Sequence, residues 1–314
     1  MTDPRPDPDA AADSIGRIAE LIGQDPAIGL DTDMKLVIDM LGQLGARPLE
    51  QLSPDAARSQ PRATDAIAAL MAQGGGTLSD DQVVVEALSI PGGDGSLAAR
   101  LYRPAGLAER LNPMVLYFHG GGFVTGDLDS HDASARAFAW RAGAIVLSLD
   151  YRLAPEHGFP AAHDDAWAAW GWLSGQAHRL GGDPRRIAVA GEDAGANLAM
   201  HVALKARETR GLRPVQQVLI HPIADTDMST PSYDEALRTR PIGLPAMRWR
   251  FKQLFPDGMP ETVPALQLVG RDDLAGLPPS LIVLAGIDPL RSEGEALASA
   301  LSAAAPVRSC RNIR

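Results

Sequence analysis

The sequence predicts an α/β three-layer sandwich, with helices on both faces of a mostly parallel sheet, and three observations predict it. Residues 113–119 (P-M-V-L-Y-F-H) and 144–150 (A-I-V-L-S-L-D) are apolar runs without alternation, which fit strands buried on both faces. Ahead of them, 83–90 and 97–103 read as two strands joined by Pro91-Gly92-Gly93-Asp94-Gly95, a hairpin signal. After them, strand-like and helix-like stretches alternate to residue 304. At 314 residues and 45% hydrophobic, the chain can bury a large core with an appended cap.

In chain order, residues 1–12 are rich in Asp and Pro and are expected to be disordered. From Asp33, read as an N-cap, Met34, Val37, Ile38, Leu41 and Leu44 recur at helical spacing until Gly45. Residues 49–71 read as further helix, ending in Gly74-Gly75-Gly76. Residues 1–75 are therefore expected to form an N-terminal helical cap, and 76–314 the main domain. Within that domain the spacing predicts helices over 132–141, 161–178, 194–208 and 291–304, and strands over 186–190, 217–221 and 280–285. Residues 222–275 are an irregular, partly helical insertion that completes the cap.

A net charge of -10 gives a nucleic acid or an anionic membrane little electrostatic support as partner. No stretch approaches the roughly 20 apolar residues of a membrane span. The first ten residues lack a signal peptide's apolar core, so a cytoplasmic location is expected. The lone Cys310 excludes an intrachain disulfide and a cysteine-based metal site. No metal-ligand spacing and no phosphate-binding loop occurs, so no cofactor is implied.

Two stretches carry chemistry. Gly191-Glu192-Asp193-Ala194-Gly195 stands between the apolar run 186–190 and the helix from Ala194. It has the frame of a nucleophile elbow, G-x-S-x-G, with Asp193 where the serine belongs. Glycines are needed at 191 and 195 because strand and helix pack closely there. The second stretch, His119-Gly120-Gly121-Gly122-Phe123, follows a buried strand about 70 residues earlier. Consecutive glycines let backbone N–H groups approach a ligand oxygen, as in an oxyanion hole.

With these motifs the chain resembles the hormone-sensitive-lipase group of α/β-hydrolase carboxylesterases. The resemblance rests on H-G-G-G-F at 119, D-Y-R-L-A-P-E-H at 150, F-P-A-A at 159, G-E-D-A-G-A-N at 191, H-P-I-A-D-T-D at 221 and D-P-L-R-S-E-G at 288. It implies an α/β-hydrolase fold, an oxyanion hole formed by Gly121, Gly122 and the N–H of Ala194, and Asp288 in the acid position of a triad. In the family a serine stands where Asp193 is, and a histidine follows the acid by about 30 residues. Here that count runs past Arg314, and the last histidine of the chain is His221. The tail after Val307, R-S-C-R-N-I-R, is basic and aperiodic. It suggests a chain that stops before the last strand and helix, which would leave a bare sheet edge and weaken any homo-oligomer.

Three functional readings follow. The chain is an esterase or lipase scaffold impaired by Asp193 and the lack of a catalytic histidine, with a small acyl-ester-like ligand. Alternatively it is a small-molecule-binding pseudoenzyme, as the plant gibberellin receptors are relatives of this family without its histidine. In the third, Asp193 attacks epoxides or haloalkanes. The elbow helix favours an ionised Asp193, whose carboxylate can itself occupy the oxyanion hole. Among the histidines, His221 alone follows a strand at a position worth watching. Tyr151, Arg152 and Glu156 are expected to support the glycine loop, Asp164 and Asp165 to face solvent, and Met247, Trp249 and Phe251 to form a core stripe or line the acyl pocket.

Overall fold

The structure, a computed structural model, describes residues 31–74, 82–107, 110–237 and 241–304, and the backbone of 309–313. The disorder expected over 1–12 lies outside these residues.

Eight strands form one sheet in the order β1-β2-β4-β3-β5-β6-β7-β8. They are β1 (Val83–Pro91), β2 (Ser96–Pro104), β3 (Asn112–Phe118), β4 (Ile145–Leu149), β5 (Gly182–Glu192), β6 (Gln217–Ile220), β7 (Ser280–Ala285) and β8 (Ser309–Ile313). β2 runs antiparallel to both β1 and β4, and every pairing from β4 through β8 is parallel. The central strands are buried because helices cover both faces: all five residues of β4 are buried, and six of the seven in β3. That burial is why their sequences do not alternate.

Nine α-helices are described: α1 (Thr32–Gln43), α2 (Pro54–Ser59), α3 (Ala63–Gln73), α4 (Asp132–Ala142), α5 (Ala161–Gln176), α6 (Ala194–Glu208), α7 (Pro231–Glu235), α8 (Leu244–Leu254) and α9 (Arg291–Ala304). α6 and α9 span the predicted residues. α1 is capped by Asp31, whose side chain accepts from the Asp33 N–H at 2.9 Å, so the N-cap stands two residues before the expected one. The continuous helix expected over 49–71 is three pieces instead, a 3₁₀ turn at Leu49–Gln51 followed by α2 and α3. Proline explains the breaks. Pro54 starts a new helix capped by Ser53, and Pro61 pushes Gln60 out to an extended conformation. The 222–275 segment contributes α7 and α8, and the Trp249 indole N–H donates to the Leu52 carbonyl at 3.1 Å, joining it to the N-terminal helices.

The sheet does not end at β7. Residues 309–313 pair with it in parallel from Leu281↔Ser309 to Ala285↔Ile313, which corrects the expectation of a missing last strand and a bare edge. Without β8 the outer edge of β7 would present unpaired N–H and C=O groups, and an extended segment can satisfy them whatever its side-chain pattern. Among the described residues no helix is long and apolar enough to cross a membrane.

The two elbow glycines are explained by contact. A Cβ on Gly191 would collide with the Gly195 carbonyl, and one on Gly195 with the Phe118 and His119 carbonyls. Rigid backbone lies on every side. Gly195→Ala is therefore expected to cost at least the ~1–3 kcal/mol of an overpacked core, read as a lower urea midpoint at unchanged m. A midpoint within error of the parent would contradict this packing.

Candidate active site

The site lies where the parallel strands end, the usual place for a ligand in an open α/β sheet. Asp193 is the turn between β5 and α6, with φ 54° and ψ -114°. This is a strained conformation for any residue with a Cβ, and the surroundings fix it. Its N–H donates to the Ile220 carbonyl at 2.9 Å, and its carbonyl accepts from Ile223 N–H at 3.1 Å. The side chain is consequently held outward from the end of the sheet.

The glycine loop after β3 meets it. Gly121 and Gly122 both have positive φ, 120° and 60°, which aims their N–H groups at one point. That point is occupied by Asp193 Oδ2, at 3.0 Å from Gly121 N and 2.9 Å from Gly122 N. The third donor was not foreseen. Arg250, on α8, places Nη1 3.0 Å from the same oxygen, and both side chains are almost fully buried, 4% exposed for Arg250 and 5% for Asp193. Ala194, expected as a further donor, is fully buried at the first position of α6. Asp193 Oδ1 is buried without a hydrogen-bond partner.

A sequence signal for Arg250 existed. It stands three residues after Met247 and four before Leu254, both buried, so helical spacing puts it on the inward face of α8. Met247, Trp249 and Phe251 are buried too, and Met247 sulfur lies 3.5 Å from Arg250 Nη1. A charge on an apolar helix face needs a partner, and here the partner is Asp193.

Asp288 sits between β7 and α9, with Oδ1 accepting from the Leu290 N–H at 2.7 Å. Burial raises its pKa, while the neighbouring His221 and the Leu290 N–H pull the other way. His221, after β6, has φ 33° and donates its backbone N–H to Val283 at 2.7 Å. Asp193 and Arg250 lie near enough to Asp288 to act on its charge, in opposite senses. All seven histidines are among the described residues, and none hydrogen-bonds the Asp193 side chain.

His131, His119 and His163 are built into the scaffold, whereas His157 and His178 are exposed. His131 Nε2 accepts from the Gly120 N–H at 3.2 Å, which places its proton on Nδ1 beside Ser130 Oγ. Burial lowers its pKa, in keeping with a neutral acceptor. His119 is fully buried, stacks on Tyr151 at 4.2 Å, and is pushed down to about 3 by desolvation and then by His131. His163 pairs with Asn197 Oδ1 at 2.9 Å. Tyr117 donates to Glu192, the residue before the elbow.

Of the expected support residues, Tyr151 and Glu156 brace the glycine loop, whereas Arg152 is bonded to Asp165 and the Ala161 carbonyl instead. Tyr151 O–H donates to the His119 carbonyl at 2.8 Å. Glu156 accepts both Nη groups of Arg58, whose Nε and Nη2 also donate to the Val124 and Ala154 carbonyls at 2.8 Å, so α2 straps down the glycine loop. Asp164 is exposed, whereas Asp165 is fully buried. Asp165 takes Nε and Nη2 of Arg152, and the Gly93 N–H. Adjacent helical positions face about 100° apart, so the two carboxylates can meet different surroundings. Among the described residues no three metal-binding side chains cluster.

Comparison with known proteins agrees with this fold. A family described as the alpha/beta hydrolase fold matches residues 115–313. Esterase LipI of Mycobacterium tuberculosis is 43% identical over 223 residues, 69% of this chain and 68% of that protein. Ethyl acetate hydrolase of Pseudomonas putida is 37% identical over 266 residues, 82% of this chain and 80% of that protein. Among solved structures, a mutant of the esterase rPPE superposes with a TM-score of 0.79 at 31% identity, covering 90% of this chain and 87% of that one. An esterase of Pyrobaculum calidifontis superposes with a TM-score of 0.76 at 36% identity, covering 91% of this chain and 88% of that one. The chain belongs to the α/β-hydrolase fold family, by descent among the carboxylic-ester hydrolases.

Proposed function

We propose that this protein carries the scaffold and pocket of a carboxylic-ester hydrolase of the hormone-sensitive-lipase group, yet has little or no ester hydrolysis. The observation that carries this reading is the position of Asp193 Oδ2, which takes three donors at 2.9–3.0 Å. Gly121 and Gly122, with Ala194 beside them, are read as the oxyanion hole, Asp193 as the occupant of the nucleophile position, and Asp288 as the acid of a degenerate triad. In ester hydrolysis a hydroxyl attacks while a histidine removes its proton, and the oxyanion hole receives the carbonyl oxygen. Here the side chain that should attack fills the place where that oxygen should go. Attack by a carboxylate would also give an anhydride, and no imidazole is bonded to Asp193 to take or give a proton.

The same bonds weigh against an Asp nucleophile for epoxides or haloalkanes. Three donors on one oxygen, one of them a guanidinium, withdraw charge from the atom that must attack, and the water that would cleave the resulting ester has no bonded base. The buried Asp193–Arg250 pair itself fills the place of the ester oxygen, while Asp193 Oδ1 and Arg250 Nε stay without partners. Hydrolysis of short-chain p-nitrophenyl esters tests the proposal. The expected acceleration over water does not exceed the ~10³-fold to 10⁴-fold left by binding and an oxyanion hole alone. Turnover near the ~10 s⁻¹ common among enzymes would overturn it.

A further inference from the structure

An ester carbonyl is neutral and is served by N–H dipoles, whereas the donor set around Asp193 contains a full positive charge. Arg250 is buried, and its stem lies so close to the glycine loop that a Cβ on Gly122 would collide with it. The guanidinium is therefore positioned by packing as well as by its ion pair. Its Nε is buried without a partner, so Nη1 on Asp193 is the contact that answers its charge. Two backbone N–H groups and one guanidinium converging on a single oxygen make charge-assisted bonds suited to a carboxylate.

Resting on the reading of Asp193 as the occupant of the ester site, we propose that Gly121, Gly122 and Arg250 form a receptor for a small monocarboxylate of the size of acetate, which Asp193 fills as a tethered internal ligand. The ligand class is the acid, not the ester. Tethering gives the Asp193 carboxylate an effective concentration that free acetate cannot match, so the native chain does not take up external acids. Removing that side chain opens the receptor, and glycine suits the backbone left behind, with φ 54° and ψ -114°.

Asp193→Gly and Asp193→Ser are titrated with sodium acetate against sodium chloride at equal ionic strength, and with neutral acetamide, while thermal unfolding is followed. Both variants are expected to gain stability with acetate, saturating at roughly millimolar concentration as befits a ligand of four heavy atoms. The native chain and the double variant Asp193→Gly/Arg250→Leu are expected to respond to acetate no more than to chloride. An equal response to chloride or acetamide would overturn the proposal, as would an acetate response that survives loss of Arg250. Should the variants fold in acetate and not in chloride, the proposal is supported; should they fold in neither, it fails, because an external carboxylate would not have replaced the internal one. Ester turnover by the native chain would refute the proposed function and leave the acetate result standing.

Discussion

Arg250→Met is expected to destabilise the protein by about 3–5 kcal/mol, the usual consequence of removing one partner from a buried ion pair. Methionine keeps the apolar stem that packs on the glycine loop, so the loss is chiefly one of charge. Asp193 would remain buried with the two glycine N–H groups and no cation. In a chain this size the shift is roughly 10 °C in the unfolding midpoint. The double variant Asp193→Asn/Arg250→Met is expected to recover most of it, since the amide oxygen still accepts both N–H groups and no charge is left buried. A cycle of the four proteins by urea unfolding gives the coupling directly. Additive effects, with no recovery in the double variant, would mean that the two charges do not depend on one another. The same cycle bears on any attempt to install a serine: Asp193→Ser alone strands Arg250, so its stability and its activity must be read separately.

Why was Arg250 missed when the elbow was legible? The elbow is a local signal, in which strand, turn glycines and helix follow within some twenty residues, and the close backbone contacts of Gly191 and Gly195 admit few alternatives. The helices at Ala194–Glu208 and Arg291–Ala304 were readable for a similar reason, since apolar spacing and their boundaries lie in one stretch. Arg250 acts across 57 residues, and its role depends on α8 folding back over the loop. Asp165 is the same case on a smaller scale. Nothing in A-H-D-D says which of the two carboxylates turns inward until Arg152 is in place. β8 escaped because a parallel edge strand is recruited by the backbone of β7, and R-S-C-R-N-I-R shows neither alternation nor an apolar run. Long-range charge partners and edge pairing are properties of the assembled sheet.

Two buried histidines and a partly buried third make the protein's response to acid a sharp test of the packing. His119, His163 and His201 are pushed down to about 3, about 4 and about 3, each first by burial. In each ring one nitrogen is buried with no acceptor, Nε2 of His119 and His201 and Nδ1 of His163, so a proton arriving there finds nothing to stabilise it. In the unfolded chain all three take up protons near pH 6.5. A depressed folded pKa means that the unfolded state binds the extra protons, so the contribution of these groups is complete above pH 6.5 and is lost as pH falls toward 4. The raised carboxyls Asp150, Asp288 and Glu293 work in the opposite sense over part of that window, because the folded state holds their protons longer. A single stability curve mixes the two groups, and a comparison separates them. His201→Phe keeps a flat ring against His163, which meets His201 edge-on at 5.0 Å, and removes one titrating site. Between pH 6 and 4 its stability is expected to gain on that of the parent by about 1.4 kcal/mol per pH unit, one proton's worth. Parallel curves from urea unfolding would show that His201 takes up its proton as readily in the folded protein as in the unfolded one, and that its surroundings are open to water.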